Sequence, residues 1–140
     1  MPLELESLVK AVGALQKVLA KSDDTKFMDD IGEIARDAVR SGVIQHFEFT
    51  YELCWKFMKR WIETNVSAVE VDGVSRRELF RQAAEQRLIT DVEQWMRYHD
   101  ARNRMSHTYD PETAKQVYEA AHGFTQDAVL FLESLKKRND

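Results

Sequence analysis

Only two prolines and five glycines interrupt this chain of 140 residues. Proline and glycine most often end helices and form turns, so their scarcity favours a few long helices over a turn-rich β protein. A length of 140 residues also falls within the usual size of one domain. We therefore expect a single all-α domain over residues 1–140.

The first third of the chain has apolar residues at intervals of three and four, the spacing of amphipathic helices. This pattern predicts a helix over residues 3–20, a loop at residues 22–25 and further helical structure from Phe27. Ser41-Gly42 is predicted to be a break or bend.

The most apolar helix is predicted from Val43 to about Thr64. Its two apolar stripes cover so much of the circumference that the helix must be buried on more than one side. We expect it to lie at the centre of its own bundle and also to be shared with a partner chain. Glu48 and Glu52 lie one turn apart on its remaining face.

The second half of the chain carries clear signals for helix ends. Residues 65–74, which include Asp72-Gly73, predict a long turn. Two capping boxes and one aspartate–proline pair predict three helix starts: Ser75 with Glu78, Thr90 with Glu93, and Asp110 with Pro111. The last helix should run to about Leu135. The whole pattern predicts an up-and-down bundle of about four or five helices.

Charge and cysteine content narrow the class of protein. The net charge of −4 does not favour a general nucleic-acid binder, although residues 54–107 carry ten Lys/Arg against eight Asp/Glu, which permits a local phosphate site. The one cysteine, Cys54, cannot form an internal disulfide, and no apolar run approaches the ~20 residues of a membrane span. With no leader of the secretory kind, a cytoplasmic location without membrane contact is expected.

The polar segment from Arg102 to Tyr109 is the candidate chemical centre. Pro111 disfavours helical geometry at Asp110, so the preceding helix should end between residues 106 and 109. In an unbroken helix, Arg102 and His107 would point about 140° apart, whereas Asn103 and His107 share a face. Arg102 and His107 can act together only if the helix ends between them, or if a two-fold axis brings a second chain opposite.

These residue types fit metal-independent cleavage of RNA. Histidine is the side chain suited to acid–base chemistry at neutral pH, so His107 can move a proton to or from a 2′-hydroxyl or a leaving 5′-oxygen. Arg102 can bind a phosphate and stabilise charge that grows in the transition state. Asn103 can orient either of them, and Tyr109 can stack on a base or present a hydroxyl for modification.

The alternative is a polar cluster at a helix end with no catalytic role. In that interpretation His107 caps carbonyl groups, Arg102 pairs with Asp100 or Glu93, and Tyr109 packs as a hydrophobic lid. The spacing of Arg102 and His107 alone does not exclude this, since many chains contain it by chance.

Three other groups of residues have two interpretations each. Glu48 and Glu52 would need further ligands from a facing helix to hold a metal, so solvated or partner-facing charge is favoured. Cys54 lies on an apolar stripe, which favours a buried structural thiol over a nucleophile. A basic edge formed by Arg76, Arg77 and Arg81 is either an RNA or partner surface or, more commonly, a solvated face.

Two motifs in sequence carry a resemblance to a known family. The first spans residues 43–56 (VIQHFEFTYELCWK), and the second comprises Arg102-Asn103 with residues 106–110 (SHTYD). In this order they resemble the nucleotidyltransferase substrate-binding protein family of the HEPN superfamily, which includes HepT-type toxins. The resemblance covers nearly the whole chain. One departure is His46, where relatives commonly carry a basic residue such as arginine.

The resemblance implies a HEPN-like helical bundle that forms a homodimer. Its toxins are metal-independent endoribonucleases, with no metal or other cofactor, whose Arg-x4-His motifs meet across the dimer. Carried over here, Arg102 and His107 are the catalytic pair with Asn103 as their polar neighbour, and Arg102, Arg104 and Ser106 contact RNA or nucleotide.

The resemblance also implies a partner, a minimal nucleotidyltransferase (MNT) encoded beside the toxin gene. In toxin relatives this antitoxin uses ATP to attach AMP to the tyrosine of an Arg-x4-His-x-Tyr motif, a place that Tyr109 occupies. The older family name implies a second role, a non-catalytic subunit that presents a nucleotide or substrate to the transferase.

Overall fold

A computed structural model describes residues 2–139, and within this range the chain is entirely helical, without β-strands. It contains six α-helices: α1 (Glu6–Asp23), α2 (Thr25–Asp30), α3 (Glu33–Asn65), α4 (Arg76–Glu85), α5 (Val92–Asn103) and α6 (Pro111–Arg138). Short 3-10 helices at Ala68–Glu70 and Met105–His107 join them. The all-α bundle is therefore confirmed, with α2 as one additional short helix of six residues.

Helix α3 is the axis of the bundle. It has 33 residues, which corresponds to roughly 50 Å at 1.5 Å per residue, and it packs against α1, α4, α5 and α6. The predicted apolar stripes are buried along it, including Val43, Phe47, Tyr51, Cys54 and Met58 at 0% exposure. The central position expected for this helix is confirmed.

The predicted break at Ser41-Gly42 is wrong, because α3 continues through both residues. A Cβ atom on Gly42 would lie 3.4 Å from the Val18 Cγ2 atom of α1. Gly42 therefore lies where α3 packs against α1, inside a continuous helix, and the sequence alone does not distinguish such a position from a helix break. The predicted loop at residues 22–25 is also shorter than expected. Asp24 alone separates α1 from α2, and its side chain caps α2 by accepting a hydrogen bond from the Phe27 amide at 3.0 Å.

In the second half of the chain the helices begin at capping residues, and two of their bounds differ from the prediction. Ser75 caps α4 and Asp110 caps α6, as predicted. Helix α5 is capped by Asp91 rather than by Thr90, because the Asp91 carboxylate accepts from the Gln94 amide at 3.1 Å. It ends at Asn103, before the expected range.

The early end of α5 has a visible cause. The Arg104 amide lies 3.2 Å from the carbonyl oxygens of both Asp100 and Ala101, so the last turn tightens toward 3-10 geometry. The chain then forms the 3-10 helix Met105–His107 before Pro111 starts α6. None of the described helices combines the length and the low polarity required to cross a lipid bilayer.

Candidate functional site

Arg102, on the last turn of α5, faces two carboxylates of α3. Its Nε atom donates to Glu52 Oε1 at 2.7 Å, and its Nη2 atom lies 3.9 Å from Glu48 Oε2. All three side chains are about one-third exposed. Glu48 and Glu52 are therefore partly solvated, and in addition they form an acidic clamp on Arg102 within the chain, which the sequence did not predict.

The alternative partners proposed for Arg102 are also wrong. Glu93 instead pairs with Arg77 of α4, and Arg102 is directed across to α3 rather than back along its own helix. The docking of α5 against α3 brings residues 50 positions apart in the chain into contact, which is why helix spacing within α5 could not identify them.

Glu52 also connects this clamp to Trp55 and to helix α4. The Trp55 Nε1–H group donates to Glu52 Oε2 at 2.9 Å. The guanidinium carbon of Arg76 lies 3.5 Å from the centre of the Trp55 ring, a close cation–π stack. The Glu52 carboxylate therefore binds Arg102 through one oxygen and Trp55 through the other. Trp55 in turn stacks against a second arginine, Arg76.

His99 lies beside this clamp and connects Tyr51 to Asn103. The Tyr51 hydroxyl is 2.8 Å from His99 Nδ1, and the Asn103 Nδ2 atom is 3.2 Å from His99 Nε2. Burial, followed by the nearby Arg76 guanidinium, lowers the pKa of His99 below its ordinary value of 6.5. The imidazole is therefore neutral at pH 7. Burial likewise raises the pKa of the Tyr51 hydroxyl, which keeps its proton.

We refer to this connected group of side chains as the Glu52 cluster; its members are Glu48, Tyr51, Glu52, Trp55, Arg76, His99, Arg102 and Asn103. Sequence reasoning missed Tyr51, His99 and the stacking of Arg76. One signal was available, because His99 and Asn103 are four residues apart and therefore share a helix face.

His107 and Tyr109 lie outside this cluster, on the turn between α5 and α6. His107 is exposed and Tyr109 is 83% exposed, with their rings edge to face at 6.1 Å. The interpretation of Tyr109 as a buried lid is therefore wrong. The end of α5 at Asn103 separates Arg102 from His107, and no hydrogen bond joins these two side chains within residues 2–139.

The remaining candidate residues of this segment are accessible. Arg104 and Ser106 are exposed, and the Arg104 Nη1 atom donates to Gln116 Oε1 of α6 at 2.9 Å. Residues 2–139 contain no group of three or more His, Cys, Asp or Glu side chains placed to hold a metal ion. Cys54 is fully buried, which confirms the predicted burial of its thiol, and this burial raises the pKa of the thiol.

Comparison with known proteins places the chain in a family. Residues 3–137 match the family described as nucleotidyltransferase substrate binding protein like. The chain belongs to this family. A family relative from Haemophilus influenzae, named "Probable ribonuclease HepT", is 34% identical over 138 residues, which cover 98% of this chain and 94% of that protein.

One solved structure supports the same family assignment, and a second shares the fold alone. The HI0074 protein of Haemophilus influenzae, described as having the fold of a substrate binding domain of a nucleotidyltransferase, superposes with a TM-score of 0.90 at 33% identity, covering 95% of this chain and 99% of that one. A Thermus thermophilus protein shares the fold at a TM-score of 0.59 and 23% identity, covering 89% of this chain and 97% of that one.

The lowered pKa of His99 predicts a pH-dependent stability. Below about pH 6.5 the unfolded chain binds a proton at this imidazole that the folded protein still excludes, so the free energy of unfolding should fall as the pH drops through this range. Replacing the imidazole by His99→Gln should remove this part of the fall. Urea unfolding of both proteins from about pH 8.5 to 5 measures it.

Above about pH 7.5, where this imidazole is neutral in both states, the difference between the two proteins should be constant. Stability curves that stay parallel down to pH 5 would contradict the assignment of a lowered pKa to His99.

Proposed function

We propose that this protein is the HEPN toxin of a two-gene toxin–antitoxin module and acts as a metal-independent endoribonuclease. Arg102 binds the scissile phosphate, His107 transfers protons, and Asn103 is their polar neighbour. The observation that carries the proposal is the end of α5 at Asn103, between Arg102 and His107. It removes the helical geometry that would direct the two side chains apart. The 34% identity to a relative named as a probable ribonuclease supports the same activity.

The clamp on Arg102 suits a phosphate-binding arginine. Glu52 holds the Nε edge, and within residues 2–139 no hydrogen bond or ion pair uses Nη1. A guanidinium fixed on one edge presents its other N–H groups in a defined direction, which reduces the entropy lost when it binds a phosphate. Arg102 would then stabilise the charge that develops on the phosphate oxygens during cleavage.

The reaction needs a base and an acid but no cofactor. The 2′-hydroxyl of the ribose attacks phosphorus while the bond to the 5′-oxygen breaks, giving a 2′,3′-cyclic phosphate and a free 5′-hydroxyl. The exposed His107 imidazole can accept the proton of the 2′-hydroxyl or donate one to the leaving 5′-oxygen. Arg104 and Ser106, also exposed, lie between the two catalytic residues and would contact the RNA backbone.

A homodimer would complete the site. Arg102 and His107 make no contact within the described chain, and a two-fold axis near the end of α5 would place His107 of one chain against Arg102 of the other. The partially exposed face of α3 that carries Glu48 and Glu52 lies beside this position. The apolar Phe49 side chain on the same helix is 58% exposed and could be covered by such a contact.

Control of the activity would come from a minimal nucleotidyltransferase, the partner implied by the family. Tyr109 presents an accessible hydroxyl on the turn that carries His107. Its oxygen would attack the α-phosphate of ATP held by the partner, release pyrophosphate and retain AMP. The attached phosphate and base would occupy the space next to His107 and exclude RNA.

A second candidate function is a non-catalytic subunit that holds substrate for the nucleotidyltransferase. The acidic clamp favours it, because Glu48 and Glu52 offset the positive charge that Arg102 would need to stabilise a transition state, while its Nη1 group could still donate to a bound phosphate. The similar HI0074 protein, described as having the fold of a substrate binding domain of a nucleotidyltransferase, agrees with this role. In this case Arg102 and His107 would bind phosphate without turnover.

Purified wild-type protein should cleave single-stranded RNA in EDTA and leave cyclic phosphate ends. His107→Ala should lower the cleavage rate by roughly 10² or more because it removes the proton-transfer group. Arg102→Ala should lower it by roughly 10² to 10³, through loss of transition-state stabilisation. Gel analysis of a labelled RNA and mass spectrometry of the products give these rates and ends.

The matched control is Arg97→Ala, which removes an exposed arginine of the same helix that contacts Gln94 instead of the Glu52 cluster. Equal growth of cells expressing the wild type or the Arg102→Ala, His107→Ala double variant, together with no RNA cleavage, would reject the toxin and leave the binding subunit.

Co-expression with the neighbouring nucleotidyltransferase should add AMP to this protein, detected by intact mass. Tyr109→Phe should remove the addition because it deletes the accepting hydroxyl, whereas Tyr118→Phe, a change to a tyrosine of α6, should not. Retention of the AMP in the Tyr109→Phe protein would show that another residue is modified.

A further inference from the structure

Arg76 differs from the other arginines of helix α4 in what it contacts. Arg77 pairs with Glu93, and Arg81 pairs with both Glu78 and Glu85. Arg76 instead stacks on the Trp55 ring at 3.5 Å. Its Nε atom is inaccessible to solvent and has no hydrogen-bond partner within residues 2–139.

The position of Arg76 is electrostatically unfavourable for folding. It is the first residue of α4, where the helix dipole favours negative charge. Among the described residues, no ion pair involves Arg76. The other two arginines of α4, Arg77 and Arg81, are each paired with acidic residues. A cation without an acidic partner at the positive end of a helix is costly to keep, even when an aromatic ring stabilises it. A bound anion would compensate for this charge at the Nη groups, because the buried Nε atom is out of its reach.

A series of side-chain contacts connects Arg76 to Arg102. Arg76 stacks on Trp55, Trp55 donates to Glu52, and Glu52 accepts from Arg102. The positive charges of both guanidinium groups lower the pKa of His99 and of Tyr51. For Tyr51 the larger effect is burial, which raises the pKa. Two arginines therefore flank a neutral imidazole and an asparagine amide, all on one surface of α3, α4 and α5.

We propose that Arg76, supported by Trp55, is a second phosphate-binding residue that holds another phosphodiester of the RNA strand bound by Arg102. This assignment rests on the proposed ribonuclease function and specifies how its substrate is held. A planar guanidinium fixed on an aromatic ring keeps its orientation and can form two parallel hydrogen bonds to phosphate oxygens. Arg76 is a positioning residue here, since it acts on a phosphate other than the one that is cleaved.

The test measures binding rather than cleavage. A fluorescein-labelled single-stranded RNA with 2′-O-methyl riboses cannot be cut, because its attacking hydroxyl is blocked. Arg76→Gln keeps much of the side-chain stem over Trp55 and removes the charge, so the fold should be retained, as thermal unfolding can verify. Arg77→Gln is the matched control, a neighbouring arginine already paired with a carboxylate.

Fluorescence anisotropy across a range of salt concentrations should give about a tenfold weaker affinity for Arg76→Gln. The slope of log K against log salt should fall by about 0.7 in magnitude, the value for one lost contact to a single strand. Arg77→Gln should stay within about twofold of the wild type. Arg76→Lys keeps the charge and should restore most of the salt slope.

Equal effects of Arg76→Gln and Arg77→Gln would overturn the Arg76 assignment. If Arg102→Gln still weakens binding in that case, the proposed function survives without this second subsite. A wild-type protein that does not bind the RNA at any salt concentration would overturn both. A tenfold loss for Arg76→Gln with an unchanged salt slope would also overturn the assignment, because the lost contact would then not be to a phosphate.

Discussion

The carboxylate of Glu52 is the point on which the arrangement of the candidate site depends. One oxygen accepts from Arg102 at 2.7 Å and the other from Trp55 at 2.9 Å, so a single side chain of α3 connects α5 directly and α4 through the stacked Arg76. The pair is about one-third exposed, and such ion pairs stabilise a fold by about 1 kcal/mol or less. Its main consequence is therefore orientation: it fixes which edge of the Arg102 guanidinium faces outward.

The second constraint is where α5 ends. Termination at Asn103 leaves Arg102 anchored on the bundle and moves His107 to a short exposed turn. The arginine proposed to bind phosphate and the histidine proposed to transfer protons are then close in sequence but belong to different structural units. This division fits a site completed by a second chain, and it leaves Tyr109 accessible to a modifying enzyme. The same two features also fit a subunit that binds its substrate without cleaving it, so RNA cleavage and RNA binding need separate experiments.

Much of the fold could be predicted from local pattern. The apolar stripes of α3 and the caps Ser75 and Asp110 depend on residues within one or two helical turns, and the structure agrees with each of them. The prediction at Gly42 was wrong because a glycine packed against α1 within a continuous helix gives the same local sequence pattern as a glycine at a helix break. Thr90 and Asp91 are both good capping residues, so the sequence could not locate that helix start to one position.

The partners of the site residues were harder to predict. Asn103 and Arg102 were identified as candidates, but the contacts of Arg102 with Glu52, and of His99 with Tyr51, join positions about 50 residues apart. Such pairs depend on how α5 docks on α3, and the spacing of residues within a single helix gives no information on this docking. The family resemblance supplied the role of the Arg102 to Tyr109 segment, and the family membership is confirmed, whereas the dimer and the catalytic roles remain predictions.

If Arg102 of one chain works with His107 of another, two inactive variants can be combined into an active dimer. Arg102→Ala and His107→Ala chains, co-expressed with different tags and purified as the mixed species, would contain one intact Arg102–His107 pair across the two-fold axis. We expect this mixed dimer to recover a substantial part of wild-type RNA cleavage in EDTA, while each variant alone stays inactive. An inactive mixed dimer, beside an active wild type, would contradict it and place the working pair within a single chain.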